Sequence, residues 1–223
     1  MSAVFADFST EVRRRLDDLD QEVRAGGLDP AIDLIVSSLQ RGGVLQAFGT
    51  GHSQAFAMEV AGRAGGLIPT HAIVLRDVVL RGSRDVSVLQ GGKLEREESI
   101  ADELYELYPF DPADVFLIAS NSGVNGSIVG IALRAKADGH PVIAVTSLEH
   151  TNAVTPKHSS GKRLAEIADI VIDLLYLLAA QRDFSRTTSL LAASAAAVAP
   201  HRRALRSATR PRALPSAKGS ASA

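Results

Sequence analysis

Residues 115–126 read V-F-L-I-A-S-N-S-G-V-N-G, an unbroken apolar run that passes directly into serine, asparagine and glycine. A short apolar run without polar alternation is typical of a strand that is buried on both faces of a sheet. The polar residues after it are typical of a turn into a helix, which the sequence predicts over about 125–137, closed by Gly139. A further apolar strand, P-V-I-A-V-T, follows at 141–146. This order predicts a parallel sheet covered by helices.

The same pattern extends to both sides of this stretch. Three further strands are predicted, at 44–48, 68–75 and 169–174. Two further helices are predicted, at 53–63 and 97–108. The stretch 76–92 shows no clear period and is predicted to be a long loop, a length that favours a functional role. We therefore expect an α/β fold, a three-layer α/β/α sandwich with a five-stranded parallel sheet and additional N-terminal helices.

Four segments are expected along the chain. Residues 1–43 are expected to form N-terminal helices that pack on the domain, and residues 44–174 its core. Residues 200–223 contain several arginines and no acid, which is typical of a disordered basic tail. Two interpretations are open for residues 175–199: a C-terminal helix, which Ala and Leu favour, or a frame change in the coding sequence.

Composition narrows the classes of function. The net charge of −1 over 223 residues gives no electrostatic basis for binding nucleic acid or an acidic membrane surface. The chain has no cysteine, which excludes disulfides, zinc-thiolate and iron–sulfur sites, and no histidine pair has helical metal-ligand spacing. No apolar run approaches the roughly 18 residues of a membrane helix, and the N-terminus is too charged for a signal peptide. We expect a cytoplasmic protein with no nucleic-acid or membrane partner and no metal site.

Two strand ends carry polar turn residues in front of a predicted helix. The first is F-G-T-G-H-S at 48–53, with Gly51, His52 and Ser53, and the second is S-N-S-G-V-N at 120–125. Helix N-termini at the carboxyl ends of parallel strands expose N–H groups and the positive end of the helix dipole, which bind anions. Hydroxyls and amides add neutral donors, so the pattern favours a small phosphomonoester.

Two nucleotide-binding motifs fit these residues less well. G-T-G-H-S-Q lacks the third glycine of the dinucleotide fingerprint because Gln54 stands there, and no acid ends the second predicted strand. G-K-R at 161–163 lacks the P-loop pattern, since Pro156 replaces the earlier glycine and Arg163 the hydroxyl residue. Turn and helix-cap chemistry explains one such loop by itself, but two at adjacent strand ends favour ligand binding.

At this point the motifs show a family resemblance. S-N-S-G-V-N, then a helix with A-L-R-A-K-A-D-G-H and the strand P-V-I-A-V-T-S, resembles the signature of SIS (sugar isomerase) domains over about residues 30–174. G-T-G-H-S resembles the first glycine–serine loop of that family, and R-A-G-G-L and T-S-L-E-H resemble a stand-alone uncharacterised subgroup related to phosphoheptose isomerase. The resemblance implies a sugar phosphate held by Ser53, Ser120, Ser122 and Asn125, with Asn121 contributing its amide. It also implies a homodimer whose sites lie between subunits, and no cofactor is predicted.

The resemblance further implies aldose–ketose isomerisation of a phosphosugar, which needs a base beside a carbonyl. E-V-A-G-R at 59–63 resembles Glu-Leu-Thr-Gly-Arg of phosphoheptose isomerases, so Glu59 is the candidate base. Burial against an apolar helix face is expected to favour its protonated form, and a structural carboxylate paired with Arg63 is the alternative. His158 is the candidate that opens the sugar ring or protonates an oxygen, with a loop histidine of no catalytic role as its alternative. A non-catalytic sugar-phosphate sensor and an amino-sugar phosphate lyase (etherase) are alternative functions.

Overall fold

A computed structural model of the chain describes residues 3–174. The expected C-terminal helix at 175–199 and the basic tail at 200–223 lie outside the described residues. Within the described residues, no helix is long and apolar enough to cross a membrane.

The centre of the molecule is a five-stranded sheet in which every neighbouring pair is parallel. Its strands are β1 Leu45–Gly49, β2 Thr70–Ile73, β3 Val115–Ala119, β4 Val142–Thr146 and β5 Ile170–Asp173. The spatial order is β2-β1-β3-β4-β5. The three central strands are buried along their whole length, which is why their sequences are apolar without alternation. The predicted fold class is therefore confirmed.

Helices precede and connect the strands, and some of them cover the two faces of the sheet. They are α1 Ala3–Arg24, α2 Asp29–Gln40, α3 Ser53–Gly62, α4 Asp77–Leu80, α5 Ile100–Glu106, α6 Gly126–Ala137, α7 Leu148–Ala153 and α8 Leu164–Ile167. Two 3₁₀ segments, Val86–Gly92 and Leu94–Arg96, precede α5. On one face, α5, α6 and α8 pack over Phe48, Phe116 and Ile118. On the other face, α2 and α3 pack over Leu45, Val115 and Ile143.

Some predicted boundaries differ from the structure. The strand predicted at 68–75 is shortened to four residues, and the helix predicted at 97–108 begins at Ile100. The stretch predicted as a loop, 76–92, contains α4 and a 3₁₀ segment. This stretch is held by tertiary contacts that have no local sequence signal: Val78 is buried in the core, and Arg84 pairs with the carboxylates of Glu97 and Glu103.

A buried polar network fixes the register of three strands at their amino ends. The carboxylate of Asp114, 1% exposed, accepts hydrogen bonds from the backbone N–H of Val44 (2.8 Å) and the side-chain amide of Gln46 (2.9 Å). It also accepts one from the N–H of Asp111, 3.1 Å away. The side-chain oxygen of Gln46 in turn lies 2.8 Å from Nδ1 of His71, a residue of the neighbouring strand β2. A charged group without these donors would be too costly to bury, so the network holds β1 between β2 and β3 in one alignment.

Replacing Asp114 with Ala is expected to lower the free energy of unfolding by roughly 2–5 kcal/mol, because the N–H of Val44 and the amide of Gln46 lose their acceptor inside the core. Urea unfolding followed by circular dichroism measures this loss. The control is Asp111→Ala, which removes an exposed turn acceptor for the N–H of Ala113 and should cost below about 1 kcal/mol. Equal losses in the two variants would contradict the assigned role of Asp114.

Candidate functional site

The candidate site lies where the strand order of the sheet reverses. β1 and β3 are adjacent, with Gly49 opposite Ala119, yet the chain leaves β1 towards β2 and leaves β3 towards β4. The crevice outside such a pair is where open α/β sheets bind ligands. The structure therefore places the loop of Gly51, His52 and Ser53 beside the loop 120–125, at the same edge of the sheet.

The first loop makes a tight turn into α3. Gly49 passes so close to the backbone of Ser53 that a side chain at 49 would overlap it, and Gly51 has a φ of +57°. The N–H groups of Ser53, Gln54 and Ala55 donate to carbonyl oxygens three residues back, at 3.1–3.3 Å. This corrects the expectation of exposed N–H groups at this helix start, because the tight turn already uses them. The polar side chains that this loop offers are exposed His52 and half-buried Ser53.

The second loop is shaped by its own hydroxyl group. The buried Oγ of Ser120 accepts a hydrogen bond from the N–H of Gly123, 3.1 Å away. Gly123 has a φ of +62°, and a methyl group placed on it would lie 3.2 Å from both Oγ1 of Thr146 and Oγ1 of Thr151. Glycine is required there by backbone conformation and by space. Ser120 thus shapes the loop, while Ser122 is half-buried at its turn.

Asn121 joins this loop to the end of the next strand. Its carbonyl oxygen accepts from the N–H of Ser147 (3.2 Å) and from Oγ1 of Thr146 (3.3 Å). Its side-chain nitrogen lies 2.9 Å from Nδ1 of His150. Two side-chain oxygens here, Oδ1 of Asn121 and Oγ1 of Thr151, are buried without a hydrogen-bond partner. An unpartnered buried oxygen is costly, so this loop retains polar capacity that the fold itself does not satisfy.

Asn125 is the residue before the first turn of α6. Its backbone is extended, with φ −70° and ψ 147°, and its carbonyl accepts the first helical bond from the N–H of Val129. The N–H groups of the residues between them point along the helix axis without a helical partner. The side-chain oxygen of Asn125 lies 3.5 Å from Nζ of Lys157. A positive side chain therefore stands at the positive end of this helix.

The segment 94–98 covers the start of α6. The buried hydroxyl of Ser127 donates to the carbonyl oxygen of Glu95, 2.7 Å away, and a side chain on Gly126 would collide with the backbone of Arg96. A methyl group on Gly51 would lie 3.3 Å from Oε2 of Glu95. The half-buried carboxylate of Glu95 is thus within contact distance of the first glycine loop.

Glu59 lies on the open face of α3. Its side chain is 65% exposed and its carboxylate lies 3.2 Å from the guanidinium of Arg63. The expected burial of Glu59 against an apolar face is therefore wrong for the single chain. Its neighbours Phe56 and Met58 are also exposed, because the buried part of this helix is the side with Ala57. The predicted pairing with Arg63 is observed, as an exposed contact.

His158 lies beside the middle of α6 and away from its first turn. Its Nε2 is 3.6 Å from Oε2 of Glu98, and a methyl group on Gly130 would lie 3.8 Å from the same nitrogen. These two residues also line an open groove of about 400 Å³ between α5 and α6. The structure therefore groups His158 with Glu98, while the loops that hold Ser53 and Ser122 lie at the strand ends.

Several polar residues at this edge were not selected from the sequence. They are Glu95, Thr146, Ser147, His150, Thr151 and Lys157. The residues after β4, T-S-L-E-H-T at 146–151, repeat the pattern of a strand that ends in polar residues before a helix, which was a usable signal. Glu95 and Lys157 had no such signal, because only the folding of two long connections brings them to the loops. Among residues 3–174, no group of three or more His, Asp or Glu could hold a metal ion.

The comparisons of this chain with known proteins agree with one another. The sequence profile of the SIS domain matches residues 7–147. A UPF0309 protein of Listeria monocytogenes is 35% identical over 173 residues, covering 78% of this chain and 67% of that protein. A UPF0309 protein of Geobacillus thermodenitrificans is 38% identical over 146 residues, covering 66% of this chain and 57% of the relative. The chain thus spans between about half and two thirds of the length of these relatives.

Two solved structures share the fold. A phosphoheptose isomerase from Neisseria gonorrhoeae superposes with a TM-score of 0.57 at 18% identity, covering 84% of this chain and 94% of that one. A phosphoheptose isomerase from Francisella tularensis superposes with a TM-score of 0.51 at 21% identity, covering 78% and 85%. At these identities the similarity is one of fold.

Proposed function

Because the chain belongs to the SIS domain family, we propose that it binds a sugar phosphate and interconverts its aldose and ketose forms. The observation that carries the proposal is the meeting of two polar loops at the switch point between β1 and β3, in front of α6. The phosphoheptose isomerases that share this fold act on sugar phosphates, as their names state.

The chemistry of the crevice supports a phosphate ligand. The first turn of α6 offers backbone N–H groups and the positive end of a helix dipole. Ser53 and Ser122 add hydroxyl donors from adjacent strand ends, and Asn121 and Asn125 add amides. Serine and amide donors suit a phosphomonoester, whose oxygens are strong acceptors. The sugar would extend from this point towards the glycine loop and the carboxylate of Glu95.

Isomerisation requires a base that removes a proton next to a carbonyl and returns it to the neighbouring carbon. Two carboxylates are candidates. Glu59 matches the base of phosphoheptose isomerases in its local sequence, yet it is exposed in the single chain. Glu95 is half-buried, and a methyl group built on Gly51 would lie 3.3 Å from its Oε2. His158 remains a proposed acid, and since its contacts lie on the α5–α6 side, that role would serve a site formed with another subunit.

A non-catalytic sugar-phosphate sensor is the second candidate function. The observation that favours it is the exposed pairing of Glu59 with Arg63, which a surface helix forms without any catalytic role. Enzyme and sensor share the phosphate site and differ in the presence of a working base. The amino-sugar phosphate lyase would use the same pocket and is detected by release of a leaving group from the ligand.

The phosphate placement predicts that Ser53→Ala and Ser122→Ala each weaken sugar-phosphate binding roughly 10-fold to 100-fold, because each removes a hydrogen bond to a charged group. A thermal-shift screen of sugar phosphates identifies the ligand, and calorimetry then measures the dissociation constants. Ser83→Ala, at an exposed serine after α4, is the control and should bind as the wild type does. Unchanged affinity in both site variants would refute this placement of the phosphate.

The base is identified by exchange of the substrate's carbon-bound proton with deuterated solvent. If Glu59 is the base, Glu59→Gln should lower exchange about 10²–10⁴-fold while the ligand affinity stays within a few-fold. Glu95→Gln is the matched variant, and a loss confined to it would assign the base to Glu95 instead. NMR detects the exchange in both variants. If the wild type binds a sugar phosphate tightly and exchanges no proton with any ligand of the panel, the isomerase proposal fails and the sensor takes its place.

A homodimer is part of the proposal, because the N-terminal part of the chain exposes many apolar side chains. One side of α1 carries exposed Phe8, Val12, Leu16, Leu19 and Val23. Exposed apolar residues also occur on α2, at Ile32 and Val36, and on α3, at Phe56 and Met58 next to Glu59. A surface of this extent marks an interface in most proteins, and burying α3 in it would desolvate Glu59 as a base requires.

The dimer predicts that Leu16→Arg, at a residue 60% exposed in the single chain, shifts the protein towards monomer by placing a charge in the interface. Light scattering at micromolar concentration measures the mass. Asp17→Arg introduces the same side chain one position further, away from the apolar side of the helix, and should leave the mass unchanged. A wild type that is monomeric under these conditions would rule out the dimer.

A further inference from the structure

We propose that Lys157 supplies the cationic contact to the phosphate of the ligand, and that Glu98 is a positioning residue that holds Lys157 at the start of α6. The inference rests on the proposed function. It adds a positively charged contact to a site in which the sequence motifs provide only neutral donors. It is carried by contacts between two connections that are far apart in the sequence.

The position of Lys157 places its charge beside the anion-binding end of α6. Its Nζ lies 3.5 Å from Oδ1 of Asn125, the residue that precedes the first helical turn. Two positive features therefore coincide there, the helix dipole and an ammonium group. Lys157 is exposed, so water screens this like-charge pair, and an anion bound between the two would be attracted by both. A phosphate bound at this turn would be within reach of both.

The backbone around Lys157 is held by the carboxylate of Glu98. Oε1 of Glu98 accepts from the N–H of Ser159 at 2.7 Å, and Oε2 accepts from Oγ of Ser159 at 2.6 Å. The hydrogen bond from Oγ of Ser159 lowers the pKa of Glu98 most, and the hydrogen bond from the N–H of Ser159 lowers it further. The carboxylate is therefore charged at neutral pH and accepts through both oxygens. The Glu98–Ser159 pair fixes the chain two residues from Lys157.

His158 lies beside the same pair. Its Nδ1 accepts from the N–H of Ser160 at 3.1 Å, which places the proton of the neutral ring on Nε2. That nitrogen faces Oε2 of Glu98 at 3.6 Å. The imidazole is 11% exposed and lies over Gly130, where a larger side chain would displace it. The histidine therefore contributes to the placement of the 157–160 segment.

Glu98 is also packed directly against the helix start. A methyl group built on Gly126 would lie 3.1 Å from Cγ of Glu98. The carboxylate that holds Ser159 is thus fixed relative to the first residue of α6, and so is the backbone that carries Lys157. A lysine side chain loses conformational entropy when it is immobilised, and a backbone that is already fixed near the phosphate confines that loss to the side chain.

The test compares Lys157→Met with Lys162→Met, which removes the same charge from an exposed position in the same connection. Calorimetry uses inorganic phosphate, the sugar phosphate found in the screen, and the corresponding sugar without phosphate. Lys157→Met should weaken binding of both phosphate-containing ligands roughly 10-fold to 100-fold, the range for a hydrogen bond to a charged group. Lys157→Arg should retain most of the affinity, and Lys162→Met should bind within about two-fold of the wild type.

Glu98 is tested by a double-mutant cycle. Ser159→Ala, which leaves the carboxylate and most packing in place, and Glu98→Ala should each weaken phosphate binding several-fold in the wild type. In the Lys157→Met background neither change should weaken it further, because both act through the lysine. Thermal unfolding identifies any variant that fails to fold, and Ser159→Ala then carries the test. A purely structural role would give the same loss in both backgrounds.

Four results decide between the proposal and the proposed function. Equal affinity of Lys157→Met and the wild type for phosphate-containing ligands excludes the lysine contact. Additive losses in the cycle exclude the positioning role of Glu98. A wild type that binds inorganic phosphate and no sugar phosphate leaves the lysine contact standing and overturns the proposed function instead. A wild type that binds neither overturns both.

Discussion

The parallel pairing of β1 with β3 is the constraint on which the candidate site depends. Each strand ends in a polar loop, and the register of Gly49 with Ala119 places the two loop starts at the same height. That register is fixed at the other end of the strands, where the buried carboxylate of Asp114 accepts from Val44 and Gln46. A shift by one residue would remove these donors and exchange the side chains that face the two covering layers of helices. The hydrogen-bond network that fixes the register and the two loops of the candidate site thus lie at opposite ends of one strand pair.

The connection between β2 and α5 covers one side of this edge. The segment 94–98 passes over the first turn of α6, where Ser127 binds the carbonyl of Glu95 and Glu98 binds Ser159. It therefore contacts the helix start and the 157–160 segment, and Glu95 lies near the glycine loop. By themselves the 94–98 and 157–160 segments form no α-helix or strand. Their mutual hydrogen bonds give the crevice a defined shape, which a site for one small ligand requires.

The other side of the site is open in the single chain. Glu59, Phe56 and Met58 are exposed on α3, and the apolar side of α1 is exposed as well. A base that must accept a proton in water competes with solvent, whereas desolvation raises the pKa of a carboxylate into a useful range. The proposed dimer joins these two facts, since the apolar surface would be buried by the same contact that desolvates Glu59. The proposed phosphate end of the crevice, in contrast, is formed within one chain.

The sequence by itself determined the parallel α/β architecture and the two polar loops, because apolar strands of five residues and the glycines after them are local signals. It also provided the family, through S-N-S-G-V-N and the helix and strand behind it. Only the tertiary structure decided that the N–H groups at the start of α3 are engaged and that Glu59 is exposed. The same holds for Glu95, Glu98 and Lys157 at the start of α6. The physical reason is that helix exposure and loop contacts depend on which distant segments pack against them, and no pattern within a short window records that packing.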